Sequence, residues 1–140
     1  MKKEFSVHWK GSRQIRKQRK YVAKAPKHIK QKLLSCHLSK ELRQKYARRA
    51  FQLRKGDSVK IMNGEFKKKT GKVSIVDVGN ARAAIEGIQI TKKDGSKVNA
   101  WFPVCKLMIT EMNMDDKMRS DSIKKEPTKK IENKNMEKKK

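Results

Sequence analysis

The chain has 140 residues, of which 39 are lysine or arginine and 14 are aspartate or glutamate, so its formal net charge is +25 with histidine neutral. Such an excess of like charge repels itself in a compact monomer, so we expect a partner dense in negative charge. Nucleic acid is the most direct candidate, because cations that neutralise phosphates release condensed counterions. The length predicts one small domain with extensions.

A membrane surface is the competing partner for a basic chain, and the sequence argues against it. No apolar segment follows the basic N-terminus, and the longest apolar run, Ala100 to Cys105, is far shorter than the roughly 20 residues of a membrane span. A glycine for myristoylation and a C-terminal cysteine box are also missing. We therefore expect an intracellular protein without membrane insertion, in which Cys36 and Cys105 stay reduced.

The charge divides the chain into three regions. Residues 1–50 hold 17 basic and 2 acidic residues and form an electropositive arm, for which we expect basic helices. Residues 51–112 carry the apolar content of a folded domain. Residues 113–140 form a polar, Lys-rich tail without periodicity, which we expect to be flexible and disordered in isolation.

The arm is predicted to be helical. Apolar side chains recur there at helical spacing: Ile29, Leu33, Leu34, Leu38, Leu42 and Tyr46. Pro26 suits a first helical turn, and Ser39 suits the N-cap of a second helix with Glu41 in its first turn. Because two acids among 50 residues leave the cations few local partners, we favour RNA contact over a merely solvated helix face.

Residues 53–112 are predicted to form short strands. Apolar and polar residues alternate at Val59 and Ile61, at Val73 and Ile75, and at Ile88 and Ile90. Turn residues separate these runs: Asn63-Gly64, Thr70-Gly71, Gly79-Asn80 and Asp94-Gly95, the last being a good hairpin signal. Short, evenly spaced strands favour a small antiparallel barrel. A core of about 60 residues is marginal alone, so we expect RNA to contribute to its order.

The segment 53–87 carries the motif that is most informative about function. It reads LRKGDSVKIMNGEFKKKTGKVSIVDVGNARAAIEG and resembles the KOW motif, a hairpin-rich segment of small barrels in ribosomal proteins and transcription elongation factors. Gly56-Asp57 turns the chain into a strand, Phe66 anchors the following loop, and Gly71 permits close backbone approach or a positive φ. The resulting strand pair would present a basic loop to phosphates.

The residues before this motif make the resemblance more specific. They are Pro26-Lys27-His28-Ile29, Leu38 to Tyr46, Arg48-Arg49 and Leu53 to Asp57. Together with the motif they closely resemble the archaeal and eukaryotic branch of the universal large-subunit ribosomal protein twenty-four family, numbered twenty-six in the older eukaryotic scheme. The resemblance runs from about Arg19 to Met118.

The resemblance implies a mainly β fold, in which a small SH3-like antiparallel barrel follows an α-helical extension. It implies a structural constituent of the large ribosomal subunit in the cytoplasm, neither an enzyme nor a cofactor protein. Members bind the 5′ region of large-subunit ribosomal RNA, aid early subunit assembly and lie near the polypeptide exit tunnel beside neighbouring ribosomal proteins. No small-molecule substrate is expected.

The expected RNA contacts are basic side chains. Carried over position by position, the resemblance implies Lys27, Lys30, Lys32, Lys40, Arg43, Lys45, Arg48 and Arg49 in the lead-in, and Arg54, Lys55, Lys67, Lys69 and Lys72 on the barrel. The local charge adds Lys68 in the barrel loop and Arg13, Arg16, Lys17, Arg19 and Lys20 in the arm. Many cations suit structured RNA, which is read largely by shape, phosphate and 2′-OH contacts.

The sequence departs from the family pattern at three places. Lys68 occupies a loop position where members usually have glycine, which adds charge and brings the loop conformation into question. Gln52 replaces a proline common before the barrel, so the lead-in is expected to be less stiff. Pro103-Val104-Cys105 replaces a His-Pro-Ser stretch before the last strand.

Other chemistries find little support. Cys36-His37, His28 and Cys105 lack the spacing of zinc ligands, and nothing orients a base toward either cysteine. Trp9 suits RNA stacking as well as it suits packing, whereas Trp101 is expected in the core or at the barrel rim.

Two alternative functions remain. One is a KOW module of a transcription elongation factor, although such modules usually accompany another domain. The other is an enzyme subunit or RNA chaperone with transient RNA contacts, which predicts a free pool in the cytosol, whereas a ribosomal component is almost wholly bound.

Overall fold

The computed structural model describes residues 4–124, which form a seven-stranded sheet and four α-helices. The strands are β1 (Ser35–Leu38), β2 (Ala50–Gln52), β3 (Ser58–Ile61), β4 (Thr70–Asp77), β5 (Arg82–Thr91), β6 (Lys97–Pro103) and β7 (Leu107–Glu111). The helices are α1 (Ile15–Lys24), α2 (Lys27–Leu33), α3 (Lys40–Tyr46) and α4 (Lys117–Lys124), with short 3-10 helices at Val7–Gly11 and Val104–Lys106.

The sheet is mostly antiparallel, as the alternating sequence predicts. The strand order is β2-β1-β7-β3-β4-β5-β6, and the pairing of β1 with β7 is parallel whereas the other pairings are antiparallel. Among the described residues the outer strands β2 and β6 do not pair with each other, so this sheet is open. The fold is therefore mixed, with a large antiparallel sheet and a helical N-terminal part.

Two strand predictions are confirmed in detail. In β3, Val59 and Ile61 are buried between half-buried neighbours. The hairpin between β5 and β6 turns at Asp94 and Gly95, where Gly95 has φ +82°. The Asp94 carboxylate accepts hydrogen bonds from the Ser96 hydroxyl at 2.6 Å and the Ser96 backbone N–H at 2.9 Å. These bonds stabilise the ionised form, so the pKa of Asp94 lies below its ordinary value.

The sequence prediction for β4 needs two corrections. Thr70 and Gly71 lie inside the strand rather than in a turn, and a Cβ on Gly71 would stand 2.6 Å from Cγ2 of Ile85. Glycine is therefore needed there for close packing of β4 on β5. A register shift between Val73 and Ile75 also breaks the alternation, so Val73 is buried but Ile75 is 48% exposed.

The helical prediction for the arm is confirmed except where it runs through Leu38. Leu34, Cys36 and Leu38 are buried in alternation, because β1 lies between β2 and β7 and pairs with both. Leu38 also fits the helical spacing, but pairing with two strands overrides that local signal. The Ser39 hydroxyl accepts a hydrogen bond from the Leu42 N–H at 3.3 Å and caps α3, as expected, whereas Pro26 precedes α2 as its N-cap residue.

The expected disorder of residues 113–140 is wrong for the part that the structure describes. Residues 117–124 form α4, and the Asp116 carboxylate accepts a hydrogen bond from the Met118 N–H at 2.8 Å, as an N-cap residue does. Arg119 and Ile123 are buried, one helical turn apart. Residues 125–140 lie outside the described residues.

A buried ion pair attaches α4 to the turn before β3. The Arg119 guanidinium donates to both carboxylate oxygens of Asp57, at 2.6 and 2.7 Å, and to the carbonyl of Asn113 at 2.8 Å. Asp57 is fully buried and also accepts from the backbone N–H groups of Arg54 and Asn113. Four hydrogen bonds, two of them from the guanidinium, compensate the energetic cost of burying this carboxylate.

The core contains apolar side chains from all seven strands or their flanks. Phe66 packs edge-to-face on Phe102 with ring centroids 5.8 Å apart, so the β3–β4 loop is anchored as predicted. Trp101 is 44% exposed, which excludes the core and leaves the other expected place, the rim of the sheet. Within residues 4–124, no helix is long and apolar enough to cross a membrane.

Candidate nucleic-acid interface

The 19 predicted RNA-contacting cations are distributed over the helices and over the loops of the sheet, apart from Lys72, which lies in β4. Arg13 precedes α1, Arg16, Lys17, Arg19 and Lys20 lie in α1, and Lys27, Lys30 and Lys32 lie in α2. Sixteen of the 19 side chains are exposed, and Lys30, Arg43 and Arg48 are half-buried. The backbone therefore orders these charges while leaving almost all of them accessible to solvent.

The first helix is held by an aromatic cluster. Tyr21 is buried, and the Phe5 ring lies 5.3 Å from the Tyr21 ring and 6.4 Å from the Trp9 ring. The Lys20 ammonium stands 4.8 Å from the centre of the Trp9 ring. One face of the Trp9 ring is thus covered by a cation. Contacts within the protein already explain the position of this half-buried side chain.

A second group of cations gathers where β1 ends, and we call it the α3 cluster: Lys40, Arg43, Lys45, Arg48 and Arg49. The Leu38 N–H donates to the carbonyl of Arg49 at 3.1 Å, which brings the turn after α3 back beside its beginning. The Arg43 Nε–H donates to the Leu38 carbonyl at 2.7 Å. Arg43 therefore has a structural role in addition to any contact with RNA.

A third group lies in the tight loop between β3 and β4, and we call it the loop cluster: Lys67, Lys68 and Lys69. The backbone N–H of Lys68 donates to the Ile61 carbonyl at 2.9 Å, and that of Lys67 donates to the Gly64 carbonyl at 3.1 Å. Lys68 keeps a left-handed backbone with φ +75°, the conformation that favours glycine. The loop thus retains a glycine-type shape although a lysine replaces the usual residue.

The register of the sheet places the α3 cluster and the loop cluster toward opposite ends of β7. Leu38, the last residue of β1, pairs with Ile109 and leads toward the C-terminal end of β7. Ile61, the last residue of β3, pairs with Leu107 at the N-terminal end of β7. The five residues of β7 span about 13 Å, so the two clusters extend from the sheet toward different stretches of a bound backbone.

Few of these cations are neutralised within the protein. Arg54 forms an exposed ion pair with Asp116, whose pKa lies below its ordinary value because of the hydrogen bond from Arg54. Arg48 stacks over Phe51 at 5.9 Å and has further interactions. With those two set aside, none of the 19 has a carboxylate of residues 4–124 within ion-pair distance. This surface is therefore suited to binding a polyanion.

The described residues offer little for catalysis or metal binding. No group of three or more His, Cys, Asp or Glu side chains in residues 4–124 is placed to hold a metal ion. Burial raises the pKa of the Cys36 thiol to about 12, and this thiol donates to the Leu107 carbonyl at 3.0 Å. A buried thiol that stays protonated at neutral pH is not a nucleophile.

Sequence reasoning missed Arg119 and placed it in a flexible tail. Two signals in the sequence pointed to it. Arg119 and Ile123 stand at i and i+4, and Asp116 precedes them where an N-cap residue belongs. A further three exposed cations of the β5–β6 hairpin lie outside the predicted set: Lys92, Lys93 and Lys97.

Comparison with known proteins connects this geometry with a family. Residues 12–126 match the model of the ribosomal protein family that is called L26 in eukaryotes and L24 in archaea. The chain belongs to this family. It is thus a ribosomal protein with a structural, non-enzymatic role, and no comparison favours a transcription elongation factor.

Individual relatives agree with the family match. The large ribosomal subunit protein uL24 of Methanosphaera stadtmanae is 41% identical over 112 residues, which cover 80% of this chain and 96% of the relative. The protein of the same name from Sulfolobus acidocaldarius is 43% identical over 107 residues, covering 76% and 80%. That of Methanoculleus marisnigri is 39% identical over 112 residues, covering 80% and 93%. The family match over residues 12–126 includes the helical arm as well as the sheet.

Proposed function

We propose that this chain is a structural constituent of the large ribosomal subunit that binds ribosomal RNA. The observation that carries the proposal is the large set of exposed cations on an ordered scaffold, nearly all of them without a carboxylate partner in residues 4–124. Such a surface gains affinity by neutralising phosphates and releasing counterions. The names of the relatives supply the subunit, since each is a large ribosomal subunit protein.

The arrangement of the clusters favours binding by bridging. Because the α3 cluster and the loop cluster lie toward opposite ends of β7, each is suited to a different stretch of RNA backbone. A rigid sheet between two such contacts holds two RNA segments at a fixed separation. That action fits a protein which orders RNA rather than one which reads a sequence, because phosphate contacts position and base contacts specify.

The finer parts of the proposal rest on the family resemblance. Residues 51–112 would act as an SH3-like KOW barrel and residues 1–50 as its basic extension, and the tail predicted for residues 113–140 would begin after α4. The RNA partner would be the 5′ region of the large-subunit RNA, bound early in assembly. The site would lie near the polypeptide exit tunnel beside neighbouring ribosomal proteins, in the cytoplasm.

Sedimentation of cell lysate tests the function. The lysate is run on a sucrose gradient with and without magnesium chelation, and the fractions are probed for this chain. We expect the chain to follow the large subunit after chelation separates the subunits. Recovery at the top of both gradients would refute the ribosomal assignment, and recovery with the small subunit would refute the proposed location.

A further inference from the structure

A cleft opens between α2, the segment after β2 and the middle of β4. Its volume is about 670 Å³, within the range of roughly 300–1,000 Å³ that ligand sites occupy. The residues that line it fall into three kinds. Apolar side chains are Leu34, Leu53, Ile75, Val76 and Val78, polar ones are Gln31, Gln52 and Ser74, and cations are Arg54 and Lys55.

The charge of the cleft favours an anionic occupant. Arg54 and Lys55 are exposed at its edge, and no acidic side chain is among the lining residues. Asp116 pairs with one terminal nitrogen of the Arg54 guanidinium, which fixes its position and leaves its other donors available. An occupant with phosphate on one side would therefore meet two cations.

The apolar part of the cleft includes an exposed isoleucine, Ile75. The register shift between Val73 and Ile75 turns the Ile75 side chain outward, and the Ser74 hydroxyl donates to the Ala84 carbonyl at 3.1 Å beside the shift. Bulges of this kind often re-aim a side chain at a functional site. Ile75 thus supplies an apolar contact surface that is 48% exposed.

The two glutamines supply hydrogen-bonding groups beside that surface. Gln31 lies on α2 and Gln52 ends β2, and both side chains are exposed. Within residues 4–124 neither side-chain amide has a hydrogen-bond partner. Each amide offers both donors and an acceptor, the combination that matches the edge of a nucleobase.

We infer that this cleft binds one unpaired nucleotide of the RNA. The inference rests on the proposed function, and it assigns a base-contacting site to a protein whose other predicted contacts are mostly cations. The base packs on Ile75, its edge faces Gln31 and Gln52, and its phosphates lie against Arg54 and Lys55. Bases that leave the stack are bound by aromatic or apolar side chains on the face and by hydrogen bonds at the edge.

Methyl NMR of the full chain tests the inference, because a matched control residue exists. Ile90 lies on β5, is 49% exposed and is not part of the cleft. The Ile δ1 methyl groups are labelled and titrated with a hexaadenylate RNA at moderate salt. A hexamer of abasic ribose phosphates and a hexaglutamate peptide serve as comparison ligands of similar length.

We expect the RNA to shift the Ile75 methyl resonance and leave that of Ile90 in place, with the abasic hexamer moving neither. Ile75→Ala is expected to weaken RNA binding about fivefold or more, near the low end of base-stacking effects, and Ile90→Ala less than twofold. Gln31→Ala should weaken it more than Gln44→Ala, its counterpart on the exposed face of α3.

Other outcomes separate the inference from the function on which it rests. If RNA binds with strong salt dependence while the Ile75 methyl stays unmoved, or if the abasic hexamer moves it equally, the nucleotide site is wrong and RNA binding stands. If the hexaglutamate moves Ile75 as the RNA does, the cleft takes a protein partner and the inference fails. If no RNA binds even at low salt, the proposed function fails as well.

Discussion

Lys68 holds a backbone conformation that costs an L-residue about 1–2 kcal/mol, since its Cβ approaches the following carbonyl oxygen. Hydrogen bonds on both sides of it keep the β3–β4 loop closed, so the loop imposes the conformation. We expect Lys68→Gly to raise the free energy of unfolding by about 0.5–1 kcal/mol, after the extra chain entropy of glycine is subtracted. Urea denaturation followed by circular dichroism measures this change.

Lys67→Gly is the control, because Lys67 is exposed in the same loop, has the same charge and has no positive φ. There the glycine brings only chain entropy, so stability should fall slightly. Equal effects of the two substitutions would mean that the loop does not impose the left-handed conformation on Lys68.

The two cysteines differ in burial, and their reactivity should differ accordingly. Burial raises the pKa of Cys36 to about 12, whereas Cys105 is exposed. At pH 8 we expect a thiol reagent to modify one cysteine of the native chain and both in denaturant. Because the folded thiol loses its proton only near pH 12, above its ordinary value, its contribution to stability should decline between about pH 9 and 12.

A Cys105→Ser variant isolates the buried thiol. It should take up no reagent when native and one equivalent when unfolded. Rapid modification of Cys36 in this native variant would show that the β1–β7 region opens readily, contrary to the packing of Cys36 against Leu107.

At the scale of elements, a buried ion pair joins α4 to the sheet, in addition to the buried side chain of Ile123. Arg119 carries the contacts with Asp57 and also lies 5.6 Å from the Phe51 ring. We expect Arg119→Ala to lower the free energy of unfolding by about 3–5 kcal/mol, because it leaves the Asp57 carboxylate buried without its counter-ion. Urea titration gives the value.

Arg54→Ala is the matched control for that experiment. It removes an arginine of the same charge whose ion pair with Asp116 is exposed at both partners, so solvent screens most of the interaction. Its effect should be close to the error of the titration. A loss as large as that of Arg119→Ala would mean that α4 is held mainly by the Asp116 contact.

The whole molecule shows which levels of structure the sequence predicts. Local signals sufficed for β3, for the Asp94-Gly95 hairpin and for the Ser39 cap, because residues within a few positions decide them. Leu38 and Arg119 were misassigned because their environments come from distant segments. The β7 strand pairs with β1 across about 70 residues, and Asp57 lies 62 residues from Arg119.

The candidate site follows the same rule. Counting charges in the sequence identified cations that are mostly exposed in the structure, because charged side chains are seldom fully buried. It could not reveal that Arg43 also bonds the Leu38 carbonyl, or that the α3 cluster and the loop cluster point to opposite ends of β7. Those properties belong to the register of the sheet, which no segment determines alone.

The experiment on the whole molecule should therefore ask whether RNA affinity depends on where the cations lie or only on how many there are. One variant replaces three exposed cations of the α3 cluster by alanine, and its counterpart replaces three exposed cations of the β5–β6 hairpin. The sets are Lys40, Lys45 and Arg49 for the first and Lys92, Lys93 and Lys97 for the second. Both variants lose three charges and keep Arg43.

Affinity for a 5′ fragment of large-subunit RNA is then measured over a range of salt concentrations. If the three α3-cluster cations neutralise phosphates, their loss should reduce the slope of log affinity against log salt by about 2–3, since each contact contributes roughly 0.7–0.9. The hairpin variant should change the slope by less than about one, because only the long-range field is reduced. Equal slopes in the two variants would mean that net charge alone drives binding, and the assignment of the α3 cluster as a contact site would be wrong.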